Sequence, residues 1–203
     1  MVVSRRTLLI AAGTSTALGA GAYAFHVATR FPPDTTPEGA YRRIAHSLSR
    51  GKPHELFSYL EEDAIHAIFS MHGYAREIIE AVRASYPEAE RARALARYER
   101  FSQPEDPAAL WVTFAEERGF LRQLRRDLSG IDHVDRSGER ATVVTARGTR
   151  YPLRVRPNGI WGLSMFTAQL DAEARRLARD WDTIRRAAHD FRAGAAPANS
   201  ATP

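Results

Sequence analysis

The chain has 203 residues, no cysteine, and 29 basic against 24 acidic side chains, a formal charge of +5. That length suits one domain with a leader, large enough to bury about two thirds of its unfolded surface without cross-links. A cysteine-free sequence excludes disulfides, iron–sulfur and thiolate zinc sites, c-type haem attachment, a cysteine nucleophile and an acylated lipoprotein cysteine.

Arg5 and Arg6 open a basic stretch ahead of an uncharged run over 8–24, rich in Ala, Gly, Ser and Thr. The run ends in Ala22-Tyr23-Ala24, whose small residues suit a signal peptidase pocket. Ser4-Arg5-Arg6-Thr7-Leu8-Leu9 resembles the twin-arginine (Tat) export signal, with Ile10 standing where a lysine is often found. The resemblance implies a signal peptide over 1–24 and a periplasmic or extracellular domain that crosses the membrane already folded; a Sec route is left open. A second reading is an uncleaved inner-membrane anchor over 8–28, which as a helix would span about 31 Å and keep its arginines cytoplasmic. A third is the first helix of a cytoplasmic fold. Without Arg5 and Arg6, 27 basic residues face 24 acidic ones, a net charge of +3.

Residues 25–35 read as a stiff linker through Phe31-Pro32-Pro33. Thr36 and Pro37 then supply a cap and a first-turn proline for a helix carrying Ala40, Tyr41, Ile44, Ala45 and Leu48 on one face, and Gly51 ends it. Pro53 starts a short helix to Leu60. A third helix over 63–85 shows Ile65, Ile68, His72, Ala75, Ile79 and Val82 at spacings of three and four. Ser85 and Glu88 are placed to form a capping box for a helix reaching about Phe101. Asp106-Pro107 repeats the cap-and-proline device for one helix running on to Leu128.

From Ile131 to Phe166 the period shortens to that of four antiparallel strands, with turns at Ser137-Gly138, Gly148-Thr149 and Asn158-Gly159. A two-residue type I′ loop at Asn158-Gly159 would pair Arg156 with Trp161 and Arg154 with Leu163, making both sheet faces partly apolar. A last helix over 167–191 carries Leu170, Ala174, Leu177, Trp181, Ile184, Ala188 and Phe191 at spacings of 4, 3, 4, 3, 4 and 3, a heptad-like seam. The tail, 193–203, is small and polar and is expected to be disordered.

The whole is a single α+β domain over 36–192, with N-terminal helices, a four-stranded antiparallel meander and a long C-terminal helix. Its element order resembles the NTF2-like superfamily, and the opening helices over 36–60 look like those of its envelope members. The extra helices over 63–128 and the long last helix depart from that pattern.

Chemical motifs are sparse. Glu61-Glu62-Asp63 with His66 and His72 is the densest polar constellation, and Glu62 and His66, four apart, share a helix face. An acidic helix start is also what the helix dipole favours, and His72 lies on the apolar stripe as a packed, hydrogen-bonded residue would. No Gly-x-Ser-x-Gly elbow, Walker loop or dinucleotide fingerprint is present, and no cofactor is expected. Arginine supplies 28 of the 29 basic residues, and with so much alanine this is the composition of a GC-rich coding sequence. Arg147, Arg150, Arg154 and Arg156 form a local basic bias, read either as a patch for anionic lipid or polymer or as solvated strand edges. The seam residues Leu170, Leu177, Trp181 and Ile184 either pack inside the domain against a sheet face or pair helices in a homodimer or partner complex.

The sequence therefore points to an exported cell-envelope protein acting as a non-catalytic binding or assembly module. Its partner would be an envelope protein, or an apolar small ligand held between helices and sheet, with membrane association through the arginines and no role for nucleic acid. The alternative is a cofactor-free enzyme acting in an NTF2-like pocket. Sequencing the N-terminus of protein made in its native host tests the leader: export with cleavage yields a chain beginning just after Ala24. A chain that keeps Met1 and fractionates with the cytosol would overturn it.

Overall fold

The computed structural model describes residues 32–195. The leader with Arg5 and Arg6, most of the linker and the end of the tail lie outside the described residues. The elements are α1 (Pro37–Ser49), a 3-10 helix (Pro53–Tyr59), α2 (Glu62–Ser85), α3 (Glu88–Ser102), α4 (Pro107–Glu117), α5 (Phe120–Arg125), β1 (Ile131–Ser137), β2 (Arg140–Thr145), β3 (Arg150–Val155), β4 (Trp161–Leu163) and α6 (Thr167–Ala195). The fold is α+β, with an antiparallel meander in the order β1-β2-β3-β4 and a long C-terminal helix.

The helix starts follow the local chemistry. Thr36 Oγ1 accepts the Gly39 amide at 3.1 Å and Asp106 Oδ1 accepts that of Ala109 at 2.7 Å, each ahead of a proline that has no donor to leave unpaired. Gly51 follows α1 with φ 68°, a left-handed conformation that suits glycine.

In three places the chain departs from its sequence pattern. The helix expected over 107–128 breaks at Gly119, which takes φ 74°. The turn there brings Phe120 onto Phe166, stacked at 4.1 Å between ring centroids, with Trp111 within 6.3 Å of both. The capping box at Ser85 and Glu88 does not form: Tyr86 is extended and Pro87 precedes α3 without a side-chain cap, because the residue before a proline is steered away from helical geometry. Beyond the strand ends the Arg156 amide donates to the Ile160 carbonyl at 2.9 Å, so the β3–β4 hairpin closes over three residues, 157–159, not two. Val155 pairs with Trp161, Leu153 with Leu163 and Arg154 with Gly162. Pro157 prefers the negative φ of a type I turn, which the Gly159 amide closes onto the Arg156 carbonyl at 2.8 Å. Gly159 alone in this loop takes a positive φ, at 80°, so the type I′ geometry is excluded.

That one-residue slip decides which sheet face is apolar. Trp161 and Leu163 join Ala141, Val143, Tyr151 and Leu153 on one buried face, which meets α1, while Arg154 stays on the outer face. The expectation of two partly apolar faces gives way to one inner and one mainly polar face. At the far edge, the β1–β2 register shifts between Ile131 and His133.

The second half of the core is helical. α6 packs along α2, and α3 packs on α2 beside it. Leu170 and Leu177 are fully buried, each contributing about 2 kcal/mol of apolar burial. The seam of α6 thus lies on a helix of its own chain rather than on a sheet face, since α1 already occupies the inner face of the sheet.

A buried polar hub joins the loop after α5 to the sheet. Asp127 is 4% exposed; its carboxylate accepts Thr145 Oγ1 at 2.5 Å and the Ser129 amide at 3.0 Å. Tyr151 donates its hydroxyl to the Asp127 carbonyl, Tyr41 donates to the Ser129 carbonyl at 2.8 Å, and the two rings lie 5.0 Å apart. Hydrogen bonds from Ser129 and Thr145 hold the Asp127 carboxyl well below the usual carboxylate range. Burial, with the Asp127 charge adding to it, pushes the Tyr151 hydroxyl up to about 12. Asp127→Ala is expected to lower the melting temperature by more than about 5 °C, since it orphans buried donors. A carboxyl depressed in the folded state stabilises fully above its unfolded value of about 3.9, and that contribution is lost as pH falls below it. The gap in melting temperature between wild type and Asp127→Asn should therefore narrow as pH drops from about 5 towards 2; a constant gap would contradict the hub.

Candidate functional site

The acidic run and two of the arginines, separate features in the sequence, meet in one surface cleft. After the 3-10 helix the chain crosses the edge of β4, where Leu60 bridges Leu163 and the Glu61 amide donates to the Leu163 carbonyl at 3.1 Å. Gly162 makes this crossing fit: a Cβ there would stand 2.5 Å from the Leu60 carbonyl oxygen and 2.6 Å from Glu61 Cα. The crossing sets Glu61 at the N-terminus of α2, with Glu62 and Asp63 in its first turn, where the helix dipole favours negative charge. Across the gap, the pleat of β3 turns Arg154 outward, and Arg156 follows at the start of the loop.

Glu61, Glu62, Asp63, Glu139, Arg154 and Arg156 line this cleft of about 320 Å³. Arg156 Nε donates to Glu62 Oε2 at 3.0 Å and its Nη1 to the Ser58 carbonyl at 2.9 Å. Arg154 Nη1 lies 3.5 Å from Asp63 Oδ2. His66 Nε2 is 3.4 Å from Glu62 Oε1, the helix-face pairing their spacing implies. Glu61 is only 6% exposed, and no described residue makes a hydrogen bond or ion pair with its carboxylate. Four carboxylates therefore meet two guanidinium groups, both already paired.

The other residues singled out in the sequence sit elsewhere. Arg147 is exposed in the β2–β3 turn, and Arg150 pairs with Asp135 at 3.1 Å, four residues or about 13 Å along β3 from Arg154. Arg154 and Arg156 thus line the cleft, while Arg147 and Arg150 lie towards the other end of β3. His72 is buried in α2, its Nε2 3.0 Å from the Pro104 carbonyl oxygen. Leu170, Leu177 and Ile184 are buried between α6 and α2, and Trp181 is half-buried beside Ala81 and Ala84 of α2.

Two features escaped the sequence reading. Glu61 looked like one more acidic residue at a helix start, and only its burial sets it apart. The Asp127 hub left a fainter trace: Asp127-Leu128-Ser129 is an Asx-turn sequence, in which the carboxylate accepts the amide two residues on. Asp127 spends its carboxylate on donors of this chain and is closed off from the cleft.

Gly162→Ala tests the crossing that sets the site. The new methyl would force backbone apart, so a loss of about 1–3 kcal/mol in urea-measured stability is expected; an unchanged midpoint would show that the strand edge has room. Comparisons with protein-family models, with curated proteins and with solved structures find no match to this chain.

Proposed function

We propose that the protein is an exported cell-envelope domain that works as a non-catalytic binding or assembly module, with the cleft between the start of α2 and the β3–β4 hairpin as its recognition site. The export part rests on the leader: paired arginines, a weakly apolar run and Ala22-Tyr23-Ala24. The NTF2-like kinship that accompanies this reading rests on element order, helices ahead of a meander.

One observation carries the binding role. The core between helices and sheet is packed with side chains of the chain itself, with Tyr41, Trp111, Tyr151, Leu153, Trp161 and Phe166 each no more than 2% exposed, and the hollow between α1 and the start of β1 opens at the surface. Unsatisfied charge lies instead at the surface, in the cleft. A packed core favours a partner met at the surface over an apolar ligand held inside. Pairing of Arg150, Arg154 and Arg156 with carboxylates reduces the net positive field offered to anionic lipid and weighs against a purely electrostatic membrane role.

A photo-crosslinking residue placed at Arg154, in cells of the native host, tests this reading. A discrete crosslinked species in the envelope fraction is expected, absent when the same residue replaces exposed Arg185 on α6. Equal labelling from both positions, or none from Arg154, would overturn the cleft as a recognition site.

A further inference from the structure

We propose that this cleft is a receptor for a primary alkylammonium group, with the Glu61 carboxylate as its anchor. The assignment rests on the reading of the cleft as a recognition site and adds the chemistry of what it recognises.

Glu61 is more than nine-tenths buried, lines the cleft, and has no hydrogen bond or ion pair from any described residue. What is buried is the stem of Glu61: neither carboxylate oxygen is sealed from solvent, so the group meets water at the cleft wall and can exchange it for a donor. The N-terminus of α2 adds partial positive charge at that point. The two guanidinium groups lining the cleft are committed elsewhere, Arg156 to Glu62 and the Ser58 carbonyl, Arg154 to Asp63. Glu61 is thus the acceptor that folding leaves unused, held in place by its backbone bond to Leu163.

The chemistry of the gap selects the ligand. Four carboxylates against two paired guanidinium groups disfavour an anion. Among the described residues no group of three or more His, Asp or Glu is arranged to hold a metal ion. An unpaired carboxylate in the wall of a cleft of about 320 Å³ suits a compact cation on a slender stem, and a primary ammonium brings three donors and no acceptor. Glu139, on the β1–β2 turn, adds negative charge at the mouth. The ammonium has two chemical sources, a free alkyl diamine or the lysine side chain of a partner protein.

Amide chemical-shift titration of the full chain at low ionic strength tests this, using 1,5-diaminopentane, Nα-acetyl-lysine methylamide and its Nε-acetylated neutral analogue. Shifts at residues 61–63, 139 and 162 are expected with the charged probes and not with the neutral one. Binding should weaken at least tenfold in Glu61→Gln and by a smaller factor in Glu139→Gln, whose exposed turn position leaves folding intact. Saturation by the diamine supports a free amine ligand; a response to the lysine derivative alone supports a partner's side chain. If neither cation shifts these amides, or if both bind Glu61→Gln as tightly as wild type, the proposal falls. Should Glu61→Gln fail to fold, the wild-type shift map and Glu139→Gln decide: shifts elsewhere, or undiminished binding by Glu139→Gln, overturn it. Crosslinking from position 154 that persists while cation binding is absent would remove the ammonium assignment and leave the recognition site standing.

Discussion

The cleft of this protein is positioned by one close approach of backbone to backbone. Leu60 and Glu61 lie against Gly162 so tightly that no side-chain atom fits between them. The contact joins the helical half to the last strand, sets where α2 begins, and decides which carboxylate is buried. A side chain at 162 would hold the chain away, and the acidic helix start would face open solvent as an ordinary solvated cap. The constraint is steric, but its outcome is electrostatic: it buries the stem of one acidic residue and leaves its carboxylate unpaired at the cleft wall, while its two neighbours keep their arginines.

Local chemistry makes much of the fold legible in the sequence. Thr36-Pro37 and Asp106-Pro107 announce helix starts because a capping oxygen and a missing donor act within one turn. Period changes near Ile131 and Phe166 announce the meander and the final helix. What escaped depended on contacts distant in sequence. Gly119 is an unremarkable glycine until Phe120 has Phe166 to stack on. Pro157 outweighed the Asn-Gly signal because its fixed φ cannot follow a type I′ turn, and a single residue of register moved Trp161 and Leu163 across the sheet.

The candidate site was half legible. Residue types and spacing showed an acidic helix start, with Glu62 and His66 on one face, and a run of arginines in the hairpins. They could not show that the two sets are partners, because Glu62 and Arg156 lie 94 residues apart in the chain. Nor could they distinguish Glu61 from Glu62, since burial follows from the crossing and not from the helix. The heptad spacing of α6 was clear, whereas its partner was not: a 4-3 seam fits a second copy, a sheet or a neighbouring helix equally well, and α2 takes it here.

The two margins of the sheet are closed by different means. β4 is covered by the chain's own crossing at Leu60 and Glu61. No strand among the described residues pairs with the outer edge of β1, but its register shifts between Ile131 and His133, and Asp132, Asp135 and Arg136 crowd it with charge. A strand margin that is straight and neutral is a template on which another extended chain can polymerise. Here the irregular pairing bends one margin away from that role and the crossing seals the other. The four-stranded sheet is thereby finite by construction, and its margins present side chains and covered backbone rather than a straight free ladder.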